Sequence, residues 1–122
     1  MNNKQYIVGN VEEYTQGKGW FFGQFADEKL LQSNLVEIAW QNISNKQALP
    51  QDKHLHTESV EINIIISGSV SLEINDKPFT LHKGEFYVIW TETIVGNITA
   101  EEDTQLIVIR APSINDKKIK ST

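Results

Sequence analysis

Short runs of alternating apolar and polar residues, broken by turn-forming residues, occupy most of the chain from Gly19 onward. Residues 35–41 (LVEIAWQ) set Val36, Ile38 and Trp40 against Glu37, Ala39 and Gln41, the period of two expected of a half-buried strand. Residues 61–67 (EINIIIS) run into Gly68, and residues 70–74 alternate again before the turn residues Asn75-Asp76-Lys77-Pro78. Phe79-Thr80-Leu81 starts a further strand, Lys83-Gly84 predicts a tight turn, and residues 86–91 are rich in β-favouring side chains. Residues 94–99 and 105–111 (QLIVIRA) complete the series, with Glu101-Glu102-Asp103 as a charged turn between them. The aromatic run 19–25 (GWFFGQF) predicts an earlier strand, residues 26–35 a short helical turn, and the polar, Pro50-containing stretch 44–53 a loop. Roughly eight to ten short strands at this spacing predict an all-β sandwich or barrel.

Composition narrows the picture. A chain of 122 residues with 39% apolar and 22% charged residues supports one domain with one core. With no cysteine, disulfides, thiolate metal sites and Cys nucleophiles are excluded. The net charge of −5 argues against nucleic acid as a partner. No apolar run approaches the roughly 18 residues that would span a bilayer, so no membrane partner and a cytoplasmic location are expected. The mixed run Asp116-Lys117-Lys118-Ile119-Lys120 reads as a solvated, frayed tail.

Two of the three histidines, His54 and His56, are two apart, which on a strand puts both imidazoles on one face. Glu61 stands at the start of the next apolar run, where a bend could return its carboxylate to that face. Two imidazoles and a carboxylate form a set suited to a divalent transition metal (Fe, Mn, Zn or Ni), with positions left open for water or substrate. The alternative is that a His-x-His pair simply lines a strand. His82 falls at a hairpin turn and is expected to be exposed, whereas Trp20, Trp40 and Trp90 are expected in the core or a pocket wall. There is no Gly-rich phosphate loop and no nucleophile elbow.

His54-x-His56, four residues, Glu61, six residues and Gly68 together resemble the first sequence motif of the cupins. Gly84-Glu85 and the strand 86–90 resemble the start of the second motif. The remainder of that motif, a Pro-x-Gly stretch and a further histidine, falls on Trp90, Glu92 and Val95, so the histidine is missing. Gly17-Lys18-Gly19-Trp20-Phe21 and Ile109-Arg110-Ala111-Pro112-Ser113 are similar to segments of small stand-alone cupins. The resemblance implies a single domain over 1–122, a double-stranded β-helix (jelly-roll) barrel with its core at about 36–111, and a metal site at His54, His56 and Glu61. Glu92, Asn97 and Asn63 are the available substitutes for the missing ligand. It also implies a homodimer, for which the aromatic N-terminal strand offers an interface.

Inward-facing polar residues of such a barrel mark its pocket. Glu61, Asn63 and Ile65 share one face of their strand, and Glu37 and Gln41 have the same half-polar character on theirs. With Trp40, Trp90 and Glu92 these residues are the expected pocket. The expected function is binding of a small molecule at His54, His56 and Glu61. The alternatives are a metal-dependent oxygenase, isomerase or lyase acting on a small polar substrate, and a scaffold or dimerisation module with a vestigial pocket.

Overall fold

The computed structural model describes residues 5–44 and 53–119, with side chains up to Asp116. The expected loop at 44–53 therefore falls largely outside the described residues, as does Lys120. Strands β1 (Trp20–Phe22), β2 (Glu37–Ile43), β3 (His54–His56), β4 (Val60–Ser67), β5 (Ser69–Ile74), β6 (Lys77–His82), β7 (Phe86–Ile89), β8 (Val95–Ala100), β9 (Thr104–Ala111) and β10 (Lys117–Ile119) form two five-stranded sheets. Their orders are β1-β2-β9-β4-β7 and β10-β3-β8-β5-β6, and every pairing is antiparallel. The all-β, double-stranded β-helix expectation is met. The helical turn expected at 26–35 is a single 3-10 turn, Lys29–Leu31. Among the described residues, no helix is long and apolar enough to cross a membrane.

Strand periodicity decides which side chains reach the space between the sheets. Glu61, Asn63 and Ile65 are buried along β4, as are Leu106 and Val108 along β9, while their neighbours face outward. Ala39, Ile65, Val70, Ile89, Val95, Leu106 and Val108 belong to one continuous core, and full burial of a side chain such as Ile65 or Ile89 contributes about 1.5–3 kcal/mol. In β2 the alternation puts Glu37 and Ala39 inside and Ile38 and Trp40 outside. A strand whose more polar face points inward is unusual, and it is what makes room for a polar site.

Two turns fix the register. Asn75 and Asp76 both have positive φ (48° and 65°) between the paired residues Ile74 and Lys77, the geometry of a two-residue type I′ hairpin. Gly68 (φ 85°) carries the chain from β4 in one sheet to β5 in the other. A Cβ there would collide with Oγ1 of Thr104, whose hydroxyl accepts from the Ser69 N–H at 3.0 Å.

The edge strands β1 and β10 lie outside the 36–111 core and add one strand to each sheet. Within the run expected to be a frayed tail, residues 117–119 instead pair with β3 across the two histidines. Burial of the backbone edge of β3 supplies the reason, since its N–H and C=O groups need a partner on that side.

Candidate metal centre and pocket

His54 and His56, at the two ends of the three-residue strand β3, are both buried on its inner face, with Leu55 turned outward. Their rings meet edge to face, 5.4 Å between centroids. Glu61 enters from β4, in the opposite sheet, and one ligand atom from each of the three residues lies within 4.8 Å of the others.

The contact between His56 and Glu61 defines the chemistry. Nε2 of His56 and Oε2 of Glu61 are 3.0 Å apart, both are buried, and neither has a hydrogen-bond partner. The other ring nitrogen, Nδ1, lies 3.0 Å from Oδ1 of Asp116. Asp116 accepts the backbone N–H groups of Glu58 and Ser59, each at 2.7 Å, and the Ser59 hydroxyl. Burial works against its charged form, but these donors win and hold its carboxyl down at about 2. An ionised Asp116 requires Nδ1 to be the donor, which turns the Nε2 position of the ring toward the Glu61 carboxylate. Without a proton on Nε2, two lone-pair atoms facing each other at that distance repel unless a cation lies beside both; with that proton, they form a buried ion pair. Bonds of about 2.0–2.1 Å to ligands at right angles give a separation of about 3 Å, so the pair fits a divalent metal.

Further polar and charged groups surround this pair. Oε1 of Glu61 accepts from Asn63 at 3.2 Å, and Nη2 of Arg110 lies 3.6 Å from Oε2. Burial raises the Glu61 carboxyl, yet the His56 ring and the Arg110 guanidinium outweigh it, so the net shift is downward. Arg110 also reaches Glu37, Nη1 to Oε2 at 3.5 Å, and its guanidinium carbon sits 5.0 Å from the centroid of the Trp20 ring. Burial pushes the Glu37 carboxyl up, only partly offset by Arg110 and by the Ser113 hydroxyl that donates to it at 3.2 Å. Tyr87 is held neutral by burial and by the nearby Glu61 charge, which push its hydroxyl well above the usual range.

A cavity of about 190 Å³ opens onto the site, with His54, Glu61, Asn63, Tyr87, Gln41 and Arg110 among its walls. His56 lies behind it, fully buried. Of the expected pocket residues, Gln41 and Asn63 line this cavity, and Glu37 stands at its back, against Arg110. Trp40 and Trp90 do not: strand parity places Trp40 on the outer face with Ile38, and Trp90 continues the outward series of Phe86 and Val88 with 68% exposure. Glu92 and Asn97 are exposed as well, Glu92 in the turn after β7 with its N–H donated to the His56 carbonyl at 2.8 Å. His82 is exposed, as expected. Val95, the position of the missing histidine, is buried and pairs directly with His54 across β3 and β8, so an isopropyl group packs beside that imidazole.

Three contributors were not anticipated. Arg110 carried a signal: it is the one charge in QLIVIRA, and it shares parity with the buried Leu106 and Val108. Tyr87 alternates with Phe86 and Val88 in the same way. Asp116 carried none, because its partners lie about sixty residues away in sequence.

No protein-family model matches the chain, and neither does any curated protein. Solved structures do match in fold. An uncharacterised conserved protein with a double-stranded β-helix domain from Klebsiella pneumoniae superposes with a TM-score of 0.72 at 14% identity, covering 100% of this chain and 98% of its own. A Streptomyces protein, PAC13, in a structure with uridine, gives 0.68 at 12% identity and 99% and 92% coverage. A cupin protein from Bacteroides fragilis gives 0.64 at 14% identity and 100% and 93% coverage.

Proposed function

We propose, from the premise that this chain has the cupin fold, that it binds a small polar molecule at a divalent transition-metal centre held by His54, His56 and Glu61. The observation that carries the reading is the convergence of three buried ligand atoms, one each from His54, His56 and Glu61, within 4.8 Å of one another, with His56 Nε2 and Glu61 Oε2 3.0 Å apart. A metal in that place would supply a positive charge for both atoms and a Lewis acid facing the cavity. The protein's own residues would shape the ligand's surroundings. Arg110, stacked on Trp20, and the neutral Tyr87 hydroxyl present donors, while Val70, Ile98 and Leu106 form apolar walls. The Streptomyces neighbour with uridine supports small-molecule binding as the kind of function this barrel performs.

A catalytic reading has one observation in its favour. Three protein ligands leave coordination positions open, and the cavity beside them is lined by Tyr87 and Arg110. An oxygenase, isomerase or lyase would use that arrangement, whereas a binder needs only the cavity. Val95 in place of a fourth ligand favours binding, because it leaves the metal more weakly held.

Metal analysis of untagged protein purified without chelator tests the proposal. The expected result is close to one transition-metal ion per chain, lost in His54→Ala and in Glu61→Gln with the fold retained. Metal-free protein that takes up none of iron, manganese, zinc or nickel on titration would overturn it.

A further inference from the structure

The chain has a single arginine, and it faces the cavity. Register places Arg110 of β9 directly between Glu37 of β2 and Glu61 of β4. Neither pairing is close. Nη1 stands 3.5 Å from Glu37 and Nη2 3.6 Å from Glu61, against about 2.7–2.9 Å for a full charge-assisted hydrogen bond. Nε is buried and has no hydrogen-bond partner. Trp20 covers one face of the guanidinium, whose five N–H donors all lie in its plane. The donor capacity of a side chain only 17% exposed is therefore no more than partly used, and a buried donor left without an acceptor is costly.

Charge points the same way. Lys18 lies exposed at the edge of the cavity, in a left-handed conformation (φ 64°), and its carbonyl accepts from the Gln41 amide at 3.1 Å. Among the described residues Glu61 is the one acid in the cavity wall. With a divalent ion at His54, His56 and Glu61, the positive charges of the ion, Arg110 and Lys18 exceed by one the carboxylates of Glu37, Glu61 and Asp116. That surplus stands in a protein whose net charge is −5.

We infer, resting on the metal-centre reading above, that the ligand of this cavity is a small monocarboxylate whose carboxylate group accepts hydrogen bonds from Arg110 beside the metal. Oε2 of Glu61 faces Nε2 of His56 and lies 3.6 Å from Nη2 of Arg110, so the guanidinium and an open metal position are within reach of one carboxylate group. The planar fork of a guanidinium matches a carboxylate in shape as well as charge. A volume of about 190 Å³ equals that of about six waters in the liquid, which suits a ligand of on the order of six to ten non-hydrogen atoms. Val70, Ile98 and Leu106 suit a short apolar tail on it. Phosphate fits less well, because it brings about 1.5–2 negative charges to a site with one to offset.

Calorimetric titration of the full chain, loaded with the transition-metal ion it takes up and freed of excess metal, tests this with lactate, its neutral amide lactamide and inorganic phosphate. Lactate should bind at least about tenfold more tightly than lactamide, and more tightly than phosphate. Arg110→Gln should remove the preference for lactate over lactamide with circular dichroism and metal content unchanged. In protein that holds its metal, three results overturn the inference and leave the metal reading intact. They are lactate binding no tighter than lactamide, phosphate binding tighter than lactate, and a preference for lactate that survives Arg110→Gln. A chain that takes up none of iron, manganese, zinc or nickel overturns both. Should Arg110→Gln fail to fold, Arg110→Gln/Glu37→Gln, which removes the Glu37 charge along with its partner, is read by the same criterion.

Discussion

Nδ1 of His56 lies 3.0 Å from Oδ1 of Asp116, a residue that the C-terminal segment brings back beside β3 just before it pairs there as β10. The same carboxylate gathers the N–H groups of Glu58 and Ser59, so the bend leading from the histidines to Glu61 is held by the group that orients the histidine. Orientation of a ligating imidazole through its second nitrogen fixes both tautomer and ring angle.

Asp116→Asn should therefore lower metal affinity by about 10–100-fold while His54, His56 and Glu61 remain in place. Competition against a chelator of known affinity measures this. An affinity within a factor of two of wild type would show that Asp116 only ties down the chain.

Acid should expose the same residue through stability. The Asp116 carboxyl stands at about 2 in the folded protein against an ordinary 3.8, and a depressed acid stabilises the fold at every pH above the unfolded value. That contribution is lost as pH falls from about 4 towards 2. Urea midpoints of metal-free wild type and Asp116→Asn should differ by a constant amount above about pH 5 and converge on approach to pH 2. A gap that stays constant down to pH 2 would contradict the assignment.

Val95→His should restore a fourth ligand. Val95 faces His54 across an antiparallel pairing, where opposed side chains share a face. Metal affinity should rise at least about tenfold, and overpacking a buried core position should cost about 1–3 kcal/mol in the metal-free protein. Chelator competition and thermal unfolding separate the two effects. Lower stability without tighter metal binding would place the new imidazole away from the site.

Gly68→Ala tests the turn between the sheets. The position combines φ 85° with direct contact against Thr104 and Asp103, so a methyl group has neither the conformation nor the space it needs. A destabilisation of about 1–3 kcal/mol is expected, lowering the melting temperature by several degrees or more. Gly84 has the same φ but nothing around its Cβ position, so Gly84→Ala should cost less. Equal losses at the two positions would mean that backbone strain alone, not the approach of Thr104, sets the requirement at Gly68.

The sequence by itself determined the fold class and which three residues form the candidate ligand set. Both are local properties: a period of two makes strands, a two-residue spacing puts His54 and His56 on one face, and parity carries Glu61 and Asn63 inward. Which face of a strand looks inward is not local when both faces carry apolar groups. Trp40 and Trp90 were expected in the core or a pocket wall, whereas the sheet register turns Trp40 to the outer face and Trp90, just past β7, is exposed. Likewise, only tertiary structure brought Asp116 to His56, set Arg110 between Glu37 and Glu61, and placed Val95 against His54. Each of those contacts joins residues about forty to seventy apart, through pairings between strands that no single strand's pattern specifies. The strands are therefore written in the periodicity of the chain, whereas the environment of His54, His56 and Glu61 is set by how two sheets close on each other.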